Sequence, residues 1–376
     1  MLSLRGLVVC LSCFTLFSSS TASFIRKRNP CDGGMGDDEN PCDPVGAEPA
    51  TNGTQVHEKQ LKYIIDCDPG IDDASGLLVA LNDAVLHNTP VVAITIAPGN
   101  APALQAFKNA YRVLKAAGRT DVPIYMGVHS PLINHHESDD YFGKDAFGDR
   151  PDLEPKFEEE DMKAVQSEHA VDAIVRLANE YPGQIRMIAL GPPTNLAMAL
   201  RMEPQLPKLF KDTYMMGGNM NGIGNVKAAV EFNFHIDPEA AHMVVRDLHP
   251  VMLTWELVLK YPIEWEWYDK YIGADTEIAK FLGGIEEKLV ARRREAGNKY
   301  ELVDAALVAC ALDPTLITEV EDRLAEVELT GKKTRGMMVV DWRQSADPEF
   351  ADVKLISAVD IERMKDYVFK SVRPKQ

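Results

Sequence analysis

The stretch Lys62–Leu81, KYIIDCDPGIDDASGLLVAL, decides the fold. It opens on a short apolar run, turns at Pro69-Gly70, and continues as apolar residues at helical spacing. Four aspartates, Asp66, Asp68, Asp72 and Asp73, fall within eight residues across the strand end and the helix start. Carboxylates this close repel and raise one another's pKa, so a cation belongs beside them. No Lys or Arg occurs between Lys62 and Lys108, which makes a metal ion the simpler compensation. Oxygen ligands without His or Cys favour a hard ion, calcium or magnesium. Two plainer readings stand beside this one: solvated acids at a helix N-terminus, and an Asp66 that only caps the Pro69-Gly70 turn.

The pattern repeats downstream. LKYIID, VVAITIA, PIYMGV, IRMIAL, DTYMMGG and PVMLTW alternate with segments such as DDASGLLVALNDAV and APALQAFKNAYRVLKAAG. Apolar runs alternating with amphipathic helices indicate an α/β fold, an open, doubly wound, mainly parallel sheet flanked by helices. Ligands of such sheets bind in the crevice at the carboxyl ends of the strands, where Asp66 and Asp68 sit. Residues 61–376 show no composition break and are expected to form one domain.

Upstream, MLSLRGLVVCLSCFTLFSSSTAS reads as a secretory signal cleaved near Ala22, which predicts a secreted protein. Residues 23–60 offer almost no apolar side chains and read as a flexible arm. Within that arm Cys31 and Cys42 are spaced for a local disulfide, Asn52 in NGT fits a glycan acceptor, and Arg26–Arg28 fits a processing site. Cys67 and Cys310 lie in apolar segments and are expected as buried thiols. A net charge of −17 argues against nucleic acid and anionic membrane surfaces as partners.

The nonapeptide DCDPGIDDA resembles the N-terminal signature of the inosine-uridine-preferring nucleoside hydrolases. Further stretches agree in order: ITIAPGNAP with Asn100, ALGPPTNLAMALRMEP with Thr194, YMMGGNMNGIGNVKAAVEFNFHIDPEAA with Met216, Asn225, Glu231 and Asn233, and VDAALVACALDP with Asp304. The resemblance runs from about Lys62 into the C-terminal region. It implies hydrolysis of the N-glycosidic bond of a ribonucleoside to ribose and free base. It also implies a calcium ion held by Asp68, Asp73, the backbone carbonyl of Thr194 and Asp304, with Asp68 as general base. Asp72, Asn100, Met216, Asn225, Glu231 and Asn233 match the family's substrate contacts, and homodimers or homotetramers are usual in it.

Two alternatives remain at this level. An Asp-x-Asp after the first strand is also how haloacid dehalogenase-like magnesium phosphatases present their nucleophile. Those enzymes continue with a small residue and then Thr or Val, from which Pro69-Gly70-Ile71-Asp72-Asp73 departs. A non-catalytic relative that binds ribose or nucleoside is suggested by Val303. Many family members carry a His at that place, able to protonate the leaving base, and Val carries no such proton. Aromatic stacking on the base is one substitute, from Tyr300, Trp255, Tyr141 or Phe142. Another is an acid from the polar loop Asn134–Asp149, where His135, His136, Lys144 and Asp145 are the candidates. Asp237 and Pro238 read as a helix cap and first turn, Asn195 as the cap of LAMALRM, and His235 and His242 as structural.

Overall fold

The computed structural model describes residues 60–133, 140–343 and 347–373. The leader, the arm with Cys31, Cys42 and Asn52, and the pair His135 and His136 lie outside them. All six expected strands are present: β1 (Lys62–Cys67), β2 (Val91–Ile96), β3 (Ile124–Met126), β4 (Ile185–Ala189), β5 (Phe210–Met216) and β6 (Val251–Leu253). Three further strands, β7 (Ile317–Val327), β8 (Met338–Asp341) and β9 (Ala351–Val359), complete a nine-stranded sheet of order 3-2-1-4-5-6-9-7-8. Neighbours from β3 through β9 pair in parallel, while β7 runs antiparallel to both β9 and β8.

Alternation along β1 shows how the sheet is wrapped. Tyr63, Ile65 and Cys67 point into one core and Ile64 into the other, as the two-residue period of a strand requires. The first core is closed by helices Ile71–His87, Ala103–Ala117, Glu277–Glu295 and Asp304–Leu312, the second by Ala170–Glu180, Thr194–Met202 and Pro238–Leu248. Burying Ile64 and Ile65 completely contributes roughly 2 kcal/mol each. Cys67 and Cys310 are fully buried free thiols in the first core, as expected.

Strand order reverses between β1 and β4, the place where an open α/β sheet splays its loops and leaves a crevice. The aspartate-rich turn leaves β1 at this point. No helix among the described residues is long and apolar enough to cross a membrane. The described residues belong to one unit, His57–Gln376.

Candidate active site

The turn after β1 is held by its own acids. Asp73 stands at the third position of helix Ile71–His87, and its Oδ2 accepts the N–H of Gly70 at 2.9 Å while Oδ1 accepts that of Asp68 at 3.3 Å. This is the acidic half of a capping box, Gly70 having no side chain to supply the other, and Asp73 secures the helix start from a buried position, not as a solvated acid. Asn100, after β2, ties the turn further, its Nδ2 donating to Asp73 Oδ2 and to the Asp68 carbonyl, both at 3.3 Å. The Asn100 N–H donates to Asp68 Oδ2 at 2.7 Å.

Asp68 is set in a glycine cradle. A Cβ on Gly99 would stand 2.0 Å from Asp68 Oδ2, and one on Gly191 2.5 Å from Asp68 Oδ1. Only hydrogen at both positions lets the loops after β2 and β4 close on this carboxylate.

Carboxylate oxygens of Asp72, Asp73 and Asp304 all lie within 4.8 Å of one another. Burial pushes Asp68, Asp73 and Asp304 well above the usual carboxylate range, and their mutual repulsion adds to it. Burial likewise raises Asp72 to about 6. Three convergent carboxylates with no basic side chain among them could bind a metal ion, and the donors are all oxygen.

These groups open onto a cavity of about 450 Å³. Asp68, Asp73 and Asp304 line it, together with Asp72, Asn100, Met216, Asn225, Glu231 and Asn233. Thr194 is not among the lining residues. It is fully buried at the start of its helix, where its hydroxyl donates to Asp237 Oδ2 at 2.7 Å. Glu231 is the cap of helix Phe232–Ile236, accepting the N–H groups of Gly218, Asn233 and Phe234, and burial raises it to about 7. The Asn233 carboxamide donates to the carbonyls of Leu190 at 2.6 Å and Met216 at 3.1 Å, so its position is fixed by the ends of β4 and β5.

All four aromatic candidates, Tyr141, Phe142, Trp255 and Tyr300, line the same cavity. The Tyr141–Phe142 pair is held over helix Glu277–Glu295 by Arg292, which donates to the Tyr141 carbonyl at 2.8 Å. Lys144 and Asp145 are not lining residues. The Asp145 carboxylate accepts the N–H groups of Phe147 and Asp149, both at 2.8 Å, and stabilises its own loop.

Two expectations are corrected. Asn195 does not cap its helix: Pro193 occupies that position, and the Asn195 side chain lies buried between Asp66, the Ile96 carbonyl and the Val128 N–H. Asp66 does not cap the Pro69-Gly70 turn. It is fully buried, its Oδ1 accepts Thr95 Oγ1 at 2.5 Å and Asn195 Nδ2 at 2.8 Å, and burial raises it to about 7. Asp237 does cap helix Pro238–Leu248, accepting the Ala240 N–H at 3.1 Å.

The group that sequence reasoning missed is Glu286. It is buried in the cavity wall and bonded by the phenols of Tyr268 and Tyr300. Its helix reads as an ordinary charged helix, and nothing in EEKLVARRRE distinguishes Glu286 from Glu287 except helical phase.

Comparison with known proteins agrees with this geometry. The family model described as inosine-uridine preferring nucleoside hydrolase matches residues 63–366. The inosine-uridine preferring nucleoside hydrolase of Crithidia fasciculata is 32% identical over 316 residues, spanning 80% of this chain and 94% of that protein. The pyrimidine-specific ribonucleoside hydrolase RihA of Citrobacter koseri is 34% identical over 295 residues, 75% of this chain and 88% of its own. Among solved structures, the plant nucleoside hydrolase PpNRh1 superimposes with a TM-score of 0.75 at 28% identity, covering 84% of this chain and 100% of that one. An inosine-guanosine nucleoside hydrolase gives a TM-score of 0.75 at 28% identity, covering 83% and 98%. These matches set aside the phosphatase reading of Asp68. By its sequence match, its sheet and the acidic cavity at the switch of strand order, the chain belongs to the inosine-uridine preferring nucleoside hydrolase family, whose members hydrolyse N-glycosidic bonds of nucleosides.

Proposed function

We propose that this chain is a secreted, calcium-dependent hydrolase of ribonucleosides in which Asp68 is the general base. The observation that carries the reading is the convergence of Asp72, Asp73 and Asp304 within 4.8 Å in a cavity that Asn100, Asn225, Glu231 and Asn233 also line. Cleaving a ribosyl C–N bond passes through an oxocarbenium-like state, so a site must supply water, negative charge near the sugar, and a proton for the base.

By resemblance to the family, Asp68, Asp73, Asp304 and the Thr194 carbonyl would hold the ion, although the convergent trio has Asp72 in place of Asp68 and Thr194 does not line the cavity. When bound, calcium would supply activation and orientation of the attacking water. The Asp68 carboxylate, placed by the Asn100 N–H and confined by Gly99 and Gly191, would accept a proton from the attacking water. Ribose hydroxyls both donate and accept, which suits Asp72, Asn100, Asn225, Glu231 and Asn233 as their partners, with Met216 packed beside Asn233. A site built from such polar groups rejects sugars lacking a hydroxyl, because its own groups are then left unpaired.

The all-oxygen cluster favours a hard ion, calcium or magnesium, and the choice of calcium rests on resemblance to the family. Secretion rests on the leader, and assembly as a homodimer or homotetramer on resemblance to the family. Calorimetric titration of the chelator-treated full chain tests the metal assignment. Calcium should bind with higher affinity than magnesium and restore turnover; binding of neither ion would overturn it.

A further inference from the structure

Glu286 and its two phenols form a second chemical group in the cavity, and the role inferred for them rests on the hydrolase reading of the site. Glu286 is only 2% exposed. Tyr268 donates to its Oε2 at 2.8 Å and Tyr300 to its Oε1 at 2.9 Å. The two rings lie 4.5 Å apart between centroids. Tyr300 and Glu286 both line the cavity, as does Val303, three residues beyond Tyr300 and without a proton to give.

The buried structural carboxyl of Asp66 is held by the Thr95 hydroxyl and the Asn195 amide. Both partners of Glu286 are instead phenols, which can give a proton and accept one. Arg293, the cationic side chain lining the cavity, is engaged elsewhere, by Glu301 at 2.6 Å.

We propose that Tyr300 is the catalytic acid that protonates the departing base, and that Glu286 is a positioning residue that resupplies its proton. When Glu286 is neutral, its O–H donates to the Tyr300 oxygen and turns the phenolic hydrogen toward the cavity. As the N-glycosidic bond breaks, its electron pair passes to the base nitrogen, which takes the Tyr300 proton. Tyr300 takes the Glu286 proton in the same event. The carboxylate so formed is held by two phenolic donors, the arrangement the structure records. Water adds its hydroxyl to the ribose carbon, its other proton goes to Asp68 and then to solvent, and solvent returns one to Glu286.

The surroundings fit this cycle. Burial raises Glu286 to about 7, and the negative charge of Asp72 on helix Ile71–His87 adds to it, so a large share of the carboxyl is protonated near neutrality. Burial and the Glu286 charge push the Tyr300 phenol well above its usual range, so its proton leaves only as Glu286 replaces it; Tyr268 and Tyr271 face the same network from helix Trp265–Ile272, and Arg294 tempers the rise at Tyr268.

The experiment compares nucleosides with 4-nitrophenyl riboside, whose leaving phenolate needs no proton, on the full chain. Tyr300→Phe should lower kcat for nucleosides relative to the aryl riboside by about 10²-fold, a typical general-acid contribution. Glu286→Gln should abolish the fall in nucleoside kcat that the wild type shows as pH rises through about 7. Equal losses on both substrates in Tyr300→Phe, or an unchanged pH profile in Glu286→Gln, would overturn the relay. Aryl riboside turnover shows in the same assay that the variants are folded. No turnover of either substrate by the wild type would instead overturn the hydrolase reading on which the relay stands.

Discussion

The Asn195 carboxamide donates to Asp66 Oδ1 at 2.8 Å, across 129 residues of chain. The same side chain donates to the Ile96 carbonyl and accepts the Val128 N–H, each at 3.0 Å. One buried amide therefore joins the ends of β1, β2 and β3 to the helix after β4, at the switch in strand order. Asn195→Ala should destabilise the fold by about 3 kcal/mol, because Asp66 and the Ile96 carbonyl lose a partner in the interior. Urea unfolding reads this directly, and an unchanged midpoint would contradict it.

Gly99 is required by Asp68. Gly99→Ala places a methyl carbon where the carboxylate oxygen lies, 2.0 Å away, so Asp68 must move. Nucleoside turnover should fall about 10²-fold or more, since a displacement near 1 Å in a reacting group costs that much. Circular dichroism should remain that of the wild type. Full activity in this variant would show that Asp68 is not held where a general base must stand.

Repulsion among the acids should be visible as stability. Asp304→Asn removes one of three convergent carboxylates, which lowers calcium affinity at least tenfold and relieves strain in the metal-free protein. With chelator present, the variant should melt at a higher temperature than the wild type; with calcium present the order should reverse. The same ranking in both conditions would mean that the cluster does not hold the ion.

Glu286 makes stability depend on pH. Its carboxyl is raised in the folded state from 4.5 to about 7, so folding favours the protonated form. That contribution is fully present below about 4.5 and is lost as pH rises through about 7, amounting to ~3 kcal/mol. Unfolding free energies at pH 5 and pH 8 should therefore converge in Glu286→Gln relative to the wild type. Equal pH dependence in both proteins would remove Glu286 as the cause.

Much of this was legible where neighbours in space are neighbours in sequence. Asp68, Asp72 and Asp73 announce themselves because a strand end and a helix start fall within eight residues, and strands β1 to β6 each centre on a short apolar run. β7 escaped because Glu319, Glu321, Asp322, Arg323 and Glu326 interrupt it; its first half is largely solvated, and only Ala325 and Val327 are fully buried. Asn195 carries the composition of a cap, and only tertiary packing turns it inward against Asp66. Tyr268, Glu286 and Tyr300 come from two helices and a loop, share no spacing rule, and become one group only when the sheet is assembled.

The most direct test is release of free ribose by the full chain from inosine, adenosine, guanosine, uridine and cytidine, with and without a calcium chelator, alongside Asp68→Asn. Ribose should appear from at least one nucleoside, be lost on chelation, return with calcium, and be absent in Asp68→Asn. Ribose release by Asp68→Asn at the wild-type rate, or none from any nucleoside by a calcium-loaded wild type, would contradict the assignment of Asp68 as the base of a calcium-dependent nucleoside hydrolase.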